Sequence, residues 1–356
     1  MRPLFGDSAR RMADTCAHVS IIYPPTHPLP SLDPGRQRLT IGLVGFGTFG
    51  QFLAARFVAQ GNTVLATSRR DYSQAAEALG VRYMRDADDF CEAHPDVVVL
   101  CTSILSTETV LSALPLYRLR RSTLIVDVLS VKTFPKRLLL EACPDNFDIL
   151  CTHPMFGPDS GKNGWGGLTF MYDEVRTNDG PGRRERVGAF LNCFKREGCD
   201  MKSMTCEEHD RFAASSQFIT HTVGRMLGKL SLESTPVDTR GYQTLLDLVD
   251  NTANDSFELY YGLFMYNGNA TEELDRLEKA FDGLKKQLFE ELHDKLREQL
   301  YLDPRDPQHL ANASTTTQIS DSDSESGAEG GAVGGAANGD AAAEAARRAA
   351  AQANER

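Results

Sequence analysis

From Thr40 to about Gly198, short apolar runs alternate with stretches of helical length. The runs predict strands at Thr40–Gly45, Thr63–Thr67, Asp96–Thr102, Thr123–Val128 and Phe147–Thr152, with Leu168–Tyr172 as a further candidate. The runs are nearly continuous in apolar residues. Separated by helix-sized segments, they fit strands buried on both faces of a parallel sheet. From Met204 the pattern turns helical. Thr205 and Glu208 have the spacing of a capping box, which predicts a helix running to about Lys229. A second helix is expected over Gly241–Tyr266 and a third over Thr271–Leu300. In the third, Leu274, Leu277, Phe281, Leu284, Leu288 and Leu292 recur at steps of three and four and form one apolar stripe. That stripe fits a dimer surface and fits packing inside its own domain equally well.

These elements predict an α/β protein: a Rossmann-type doubly wound parallel sheet followed by an all-helical domain. The expected division is a flexible arm or targeting remnant over 1–37, a dinucleotide-binding domain over 38–202, a helical substrate and dimerisation domain over 203–302 and a low-complexity tail over 303–356. The tail's Ser/Asp and Gly/Ala composition cannot bury enough apolar surface to offset chain entropy, so disorder is expected there. In the arm, Arg2, Arg10 and Arg11 suit a transit-peptide remnant, whereas Asp7 and Asp14 speak against one.

Composition narrows the function. The 356 residues carry a net charge of −11, which argues against nucleic-acid backbone binding as the main activity. The longest apolar run, near Val97–Leu105, is too short to span a bilayer. The eight cysteines form no C-x-x-C pair and read as reduced thiols. No Cys/His cluster suggests a metal site.

Gly45-Phe-Gly-Thr-Phe-Gly50 follows the first predicted strand and opens a helix. Gly45 suits the tight turn, Gly47 the close approach of a pyrophosphate, and Gly50 the packing of helix on strand. Thr48 and Phe49 lie in the same loop, and the helix N-terminus offers free N–H groups to phosphate. The second strand ends in Ser68-Arg69-Arg70 rather than in the carboxylate expected for a free ribose 2′-hydroxyl, so NADP is favoured over NAD. Asp71 could instead neutralise one of these arginines.

In open parallel sheets the ligand sits beyond the carboxyl ends of the strands. Three such ends carry polar residues: Thr102 and Ser103, the turn at Ser130, and His153. The imidazole of His153 suits a general base for a hydroxyl whose carbon loses hydride, although a His before Pro is as often a turn residue. Ser130 alone reads equally as a helix cap. Gln217, His221 and Arg225 recur at four-residue spacing and fit a ligand cleft or a solvated face.

From about Leu39 to Asn267 the chain resembles plant-type arogenate dehydrogenase, within the prephenate and arogenate dehydrogenases. The likeness rests on Ile41-Gly-Leu-Val-Gly-Phe-Gly-Thr-Phe-Gly-Gln-Phe-Leu53, Ala66-Thr-Ser-Arg69, Val126-Asp-Val-Leu-Ser-Val-Lys132, Cys151-Thr-His-Pro-Met-Phe-Gly-Pro158 and Lys162-Asn-Gly-Trp165. It continues through Cys206-Glu-Glu-His-Asp210, Ser216-Gln-Phe-Ile-Thr-His221 and the stretch from Asn251 to Gly262. The resemblance implies oxidative decarboxylation of arogenate to tyrosine without a metal. His153 would then contact the reacting hydroxyl, Ser130 would lie between it and the nicotinamide, and His221 would line the substrate cleft. In the plant-type pattern an acidic residue at the position of Asp255 goes with arogenate and asparagine with prephenate. Arg240 is a further candidate for a substrate carboxylate. The resemblance also implies a plastid stroma location; without it a cytoplasmic one is expected. The alternatives are a prephenate dehydrogenase, a non-catalytic NADP-binding sensor, and an imine- or hydroxyacid-type reductase.

Overall fold

The computed structural model describes residues 38–253 and 255–301. The expected arm and tail, and thus the transit-peptide and disorder readings, lie outside the described residues. By its contacts the chain divides at Lys285/Lys286, so the sheet and the helices up to Lys285 belong to one compact unit.

Eight strands form one sheet: β1 (Thr40–Val44), β2 (Thr63–Thr67), β3 (Arg82–Tyr83), β4 (Val97–Leu100), β5 (Leu124–Asp127), β6 (Asp148–Pro154), β7 (Thr169–Arg176) and β8 (Asp200–Ser203). Their order is β3-β2-β1-β4-β5-β6-β7-β8. Strands β1 to β6 run parallel. The order reverses direction between β1 and β4, which is the switch point where such sheets bind ligands. Successive strand residues face opposite layers. Val97 and Val99 join the layer that holds Phe57, Phe190 and Phe194, whereas Val98 and Leu100 join the layer of Phe90, Leu139 and Leu111. Both faces are therefore buried, and the continuous apolar runs follow from that.

Helices α1 (Thr48–Ala59), α2 (Ser73–Ala78), α3 (Ala87–Glu92), α4 (Thr107–Ala113), α5 (Thr133–Ala142) and α6 (Arg183–Lys195) flank the sheet. Then come α7 (Cys206–Ala213), a π turn at Ala214–Phe218, α8 (Ile219–Gly228), α9 (Arg240–Ala253), α10 (Phe257–Met265) and α11 (Ala270–Tyr301). The Thr205–Glu208 capping box is present, with Thr205 Oγ1 accepting from the Glu208 amide at 3.2 Å.

The structure corrects three expectations. The strand after β6 is antiparallel to it, because the intervening segment turns back without a crossover helix. The helix expected over Gly241–Tyr266 is two helices. Ser256 caps the second by accepting the Leu259 amide, and Arg225 Nη2 holds the Asp255 and Ser256 carbonyls at 2.6 and 3.3 Å. Finally, β6 runs on through His153 and Pro154, so His153 is a strand residue rather than a loop residue.

A third core fastens the helices to the carboxyl edge of the sheet. It joins Ile104, Leu129, Val131 and Phe134 to Phe218, Leu263 and Ala270. The fit is tight: a Cβ on Gly262 would come within 2.7 Å of Ile104, and one on Gly224 within 1.9 Å of the Thr252 hydroxyl. Beneath this edge Lys132 and Asp127 form a fully buried ion pair. Lys132 Nζ also donates to the Thr152 carbonyl at 2.5 Å, and Thr152 Oγ1 donates to the Asp127 carbonyl at 2.6 Å. The β5–β6 edge and the turn after Ser130 are thereby locked together.

Removing one partner of such a pair leaves the other buried and uncompensated. Lys132→Met is expected to lower the unfolding free energy by about 3–5 kcal/mol in urea titrations; a loss under about 1 kcal/mol would mean that water or rearrangement reaches Asp127.

Candidate active site

The glycine loop has the geometry its sequence requires. Gly45 has φ +98°, and a Cβ there would lie 2.5 Å from the Cys101 carbonyl. A Cβ on Gly50 would lie 2.4 Å from the Gly45 carbonyl. Gly47 is different: nothing lies within 4 Å of where its Cβ would be. It stands at the start of α1, whose first turn has no capping side chain and no acidic residue. Open space over uncapped N–H groups at a helix N-terminus suits a pyrophosphate. Thr48 is exposed beside it, and Phe49 packs on Phe52.

At the end of β2, Ser68 is half-buried and Arg69 and Arg70 are exposed. The Tyr83 hydroxyl donates to the Arg70 carbonyl at 2.6 Å and fixes this corner. Asp71 pairs with Arg85 at 3.4 Å rather than with either arginine. Among the described residues neither Arg69 nor Arg70 has a carboxylate partner. Thr102 and Ser103 follow β4, and their hydroxyls meet those of Thr107 and Ser106 at 2.7 and 2.9 Å.

His153, 3% exposed, sits at the end of β6. Its Nδ1 lies 2.8 Å from His209 Nε2. His209 Nδ1 in turn lies 3.0 Å from Asp210 Oδ1. The Asp210 carboxylate accepts the Lys132 amide at 2.7 Å and the Thr133 amide at 2.8 Å, so it also anchors the turn that carries Ser130. Asn267 Nδ2 donates to the Asp210 carbonyl at 2.7 Å. Burial pushes the His153 imidazole well below its ordinary value, and His209 and Lys132 push the same way. The ring is thereby kept neutral, the protonation state from which a general base acts.

Gln217 lies within the π turn and His221 one turn later. Among the described residues Gln217 Oε1 and His221 Nδ1 are buried without a hydrogen-bond partner. Buried polar atoms left unpaired are costly, which points to a ligand that completes them. Asp255 Oδ2 stands 3.4 Å from His221 Nδ1, outside good hydrogen-bond geometry. Burial lowers the His221 value, with Asp255 opposing. Burial raises the Asp255 carboxyl, and Asp159, on the loop that follows β6, adds to that shift. Arg225 does not point to a ligand: it holds the Asp255 and Ser256 carbonyls and lies over the Phe257 and Tyr260 rings at 4.8 and 5.1 Å.

The structure thus gathers Ser130 and His153 around Asp210, and Gln217 and His221 with Asp255. It does not bring Arg240 to either group. Arg240 is exposed at the first residue of α9, about 18 Å along that helix from Thr252, which packs on Gly224 next to His221. Sequence reasoning missed His209 and Asp210 as functional groups. They were quoted in a motif, but a His-Asp pair after a capping box looks like an ordinary helix start.

The chain resembles known proteins over most of the described residues. A family model described as "Prephenate dehydrogenase, nucleotide-binding domain" matches residues 53–173, and one described as "TYRAAT1-like, C-terminal domain" matches residues 226–300. The chain is 64% identical over 256 residues to Arogenate dehydrogenase 1, chloroplastic, of Arabidopsis thaliana, spanning 72% of this chain but only 40% of that relative. It is 58% identical over 263 residues to Arogenate dehydrogenase 2, chloroplastic, of the same plant, covering 74% of each. Among solved structures, prephenate dehydrogenase from A. aeolicus, in complex with hydroxyphenyl propionate and NAD+, aligns with a TM-score of 0.56 at 18% identity over 81% of this chain and 99% of that one. Synechocystis arogenate dehydrogenase aligns with a TM-score of 0.52 at 18% identity over 78% and 99%. These two structures support the fold.

The shift on His153 makes stability depend on pH. Its folded value is depressed, so the unfolded chain binds the proton more readily. The stability is whole above about pH 6.5 and is lost as pH falls below it, by about 1.4 kcal/mol per unit until the folded value is reached. Unfolding midpoints between pH 7.5 and 5 are expected to fall more steeply in the wild type than in His153→Asn; parallel curves would show that His153 is not buried as a neutral group.

Proposed function

The chain belongs to the arogenate and prephenate dehydrogenase family, and we propose that it is an NADP-dependent arogenate dehydrogenase that forms tyrosine by oxidative decarboxylation. The observation that carries the substrate choice is the Asp255 carboxyl, 3.4 Å from His221 Nδ1. Arogenate carries a side-chain ammonium where prephenate carries a keto group. A carboxylate at that place favours the ammonium and disfavours the more anionic competitor.

The arrangement fits the reaction step by step. The bound dinucleotide would accept the hydride from the hydroxyl-bearing ring carbon. His153 takes the hydroxyl proton. The electron pair of the carbon–carboxylate bond then enters the ring as carbon dioxide leaves, and the proton held on His153 returns to the phenolate oxygen. Ser130, two residues before the Lys132 amide that Asp210 holds, is the residue we assign to hydrogen-bond the reacting oxygen. Gln217 and His221 offer the unpaired buried atoms that would orient the rest of the substrate. NADP is favoured over NAD because Ser68, Arg69 and Arg70 offer a hydroxyl and two uncommitted guanidiniums to a 2′-phosphate.

The stripe on α11 supports a homodimer. Leu274 and Leu277 are half-buried, and Leu274 packs on the third core. Farther on, Phe281 (61% exposed), Leu284, Leu288 (62%), Leu292 and Leu296 face solvent. Their three- and four-residue spacing is self-complementary, as a seam between two copies of one helix requires. We therefore assign residues 203–302 to substrate binding and dimerisation, with the partner a second copy of the chain. The two chloroplastic relatives support a plastid stroma location.

Initial rates with arogenate and prephenate, each with NADP and NAD, test the assignment. Arogenate with NADP is expected to be the best pair by at least about tenfold in kcat/KM. Asp255→Asn should move the preference toward prephenate, Arg69→Ala with Arg70→Ala should weaken NADP far more than NAD, and His153→Asn should cut turnover about a hundredfold. A wild-type preference for prephenate would overturn the substrate reading. Light scattering tests the dimer: the wild type should have twice the chain mass and Leu288→Glu with Leu292→Glu the single mass, whereas a wild-type monomer at micromolar concentration contradicts it.

A further inference from the structure

We propose that His209, oriented by Asp210, is a positioning residue that holds His153 in the tautomer with a bare Nε2 and so aims the proton-accepting nitrogen at the substrate. The inference rests on His153 being the base.

Asp210 sets the proton positions. Burial raises its carboxyl, but the bonds from His209, Thr133 and Lys132 outweigh burial and hold it below its ordinary value. An ionised carboxylate only accepts. His209 Nδ1, 3.0 Å from Oδ1, must therefore carry its proton. With His209 taken as the neutral ring, which has one N–H, its Nε2 is bare. His153 Nδ1, 2.8 Å away, must then be the donor. This leaves His153 Nε2 without a proton, the form a general base needs. The groups facing His153 are His209, Lys132 with its partner Asp127 and, through His209, Asp210. Lys132 beside the pair disfavours a second buried cation between the two rings.

The chain also serves the protonated form. Once His153 Nε2 takes a proton, its Nδ1–H still donates to His209, and His209 still donates to Asp210. The new charge is thus bonded through one neutral ring to a buried carboxylate, as in a triad with an added imidazole. The same carboxylate holds the Lys132 and Thr133 amides, so the base and the Ser130 turn share one anchor.

The test is nitrogen-15 NMR of histidine-labelled full-length protein at neutral pH, with His153→Asn and His209→Gln used for assignment. The expected pattern has protons on Nδ1 of both rings and none on His153 Nε2. A proton on His153 Nε2 overturns the proposal, and this reading needs no variant to be active. Kinetics give the second arm. His209→Leu should lower kcat by at least about tenfold with little change in KM and move the acid limb of the pH profile, as when a base is left in the wrong tautomer. His209→Gln, whose carbonyl can still accept from His153 and whose amide can still donate to Asp210, should restore most of the rate. Equal losses in both variants, or wild-type rates in both, overturn it. If the NMR pattern holds while His153→Asn keeps its turnover, the reading of His153 as base fails instead, and the proposal falls with it.

Discussion

The Asp210 carboxylate is the tie on which the rest of the site depends. It lies on the first helix after the sheet, yet its oxygens are spent on the amides of Lys132 and Thr133, at the start of α5, and on His209. Local preference could not supply that link, because the partners are 77 and 78 residues apart. A buried carboxylate must find several donors or lose its charge. Here it finds two backbone amides and an imidazole, and in doing so it fixes where the helical region meets the sheet edge.

The buried Lys132–Asp127 pair works beneath this tie. It bonds the ends of β5 and β6, so Ser130 and His153 are held by the same scaffold. The third core then presses α10 and the π turn onto that edge through Ile104, Val131 and Phe218. π turns inside helices often mark functional sites. This one carries Gln217, whose carbonyl oxygen is left buried without a partner.

Much of the fold was readable from the chain itself. The buried strands show as continuous apolar runs, and the glycine loop follows from backbone sterics alone. The capping box at Thr205 is a short-range signal and is present as expected. What could not be read depends on long-range contacts. Strands β3 and β8 are short, and the sequence Asp200-Met-Lys-Ser203 has no apolar run to mark it. The break at Asp255–Ser256 is held by Arg225 from another helix, so the sequence of that segment alone looked like one long helix. At the site, Ser130, His153, Gln217, His221 and Asp255 were identified through the family resemblance more than through spacing. Arg240 had only its charge to recommend it, and the structure leaves it apart. His209 escaped notice because its role comes from a neighbour 56 residues earlier.

In the proposed reaction these groups couple one oxidation to one decarboxylation. The most direct measurement is the stoichiometry of products after incubation of the protein with arogenate and NADP. Tyrosine, carbon dioxide and NADPH are expected in equal amounts. NADPH without carbon dioxide, or no tyrosine at all from arogenate, would contradict it.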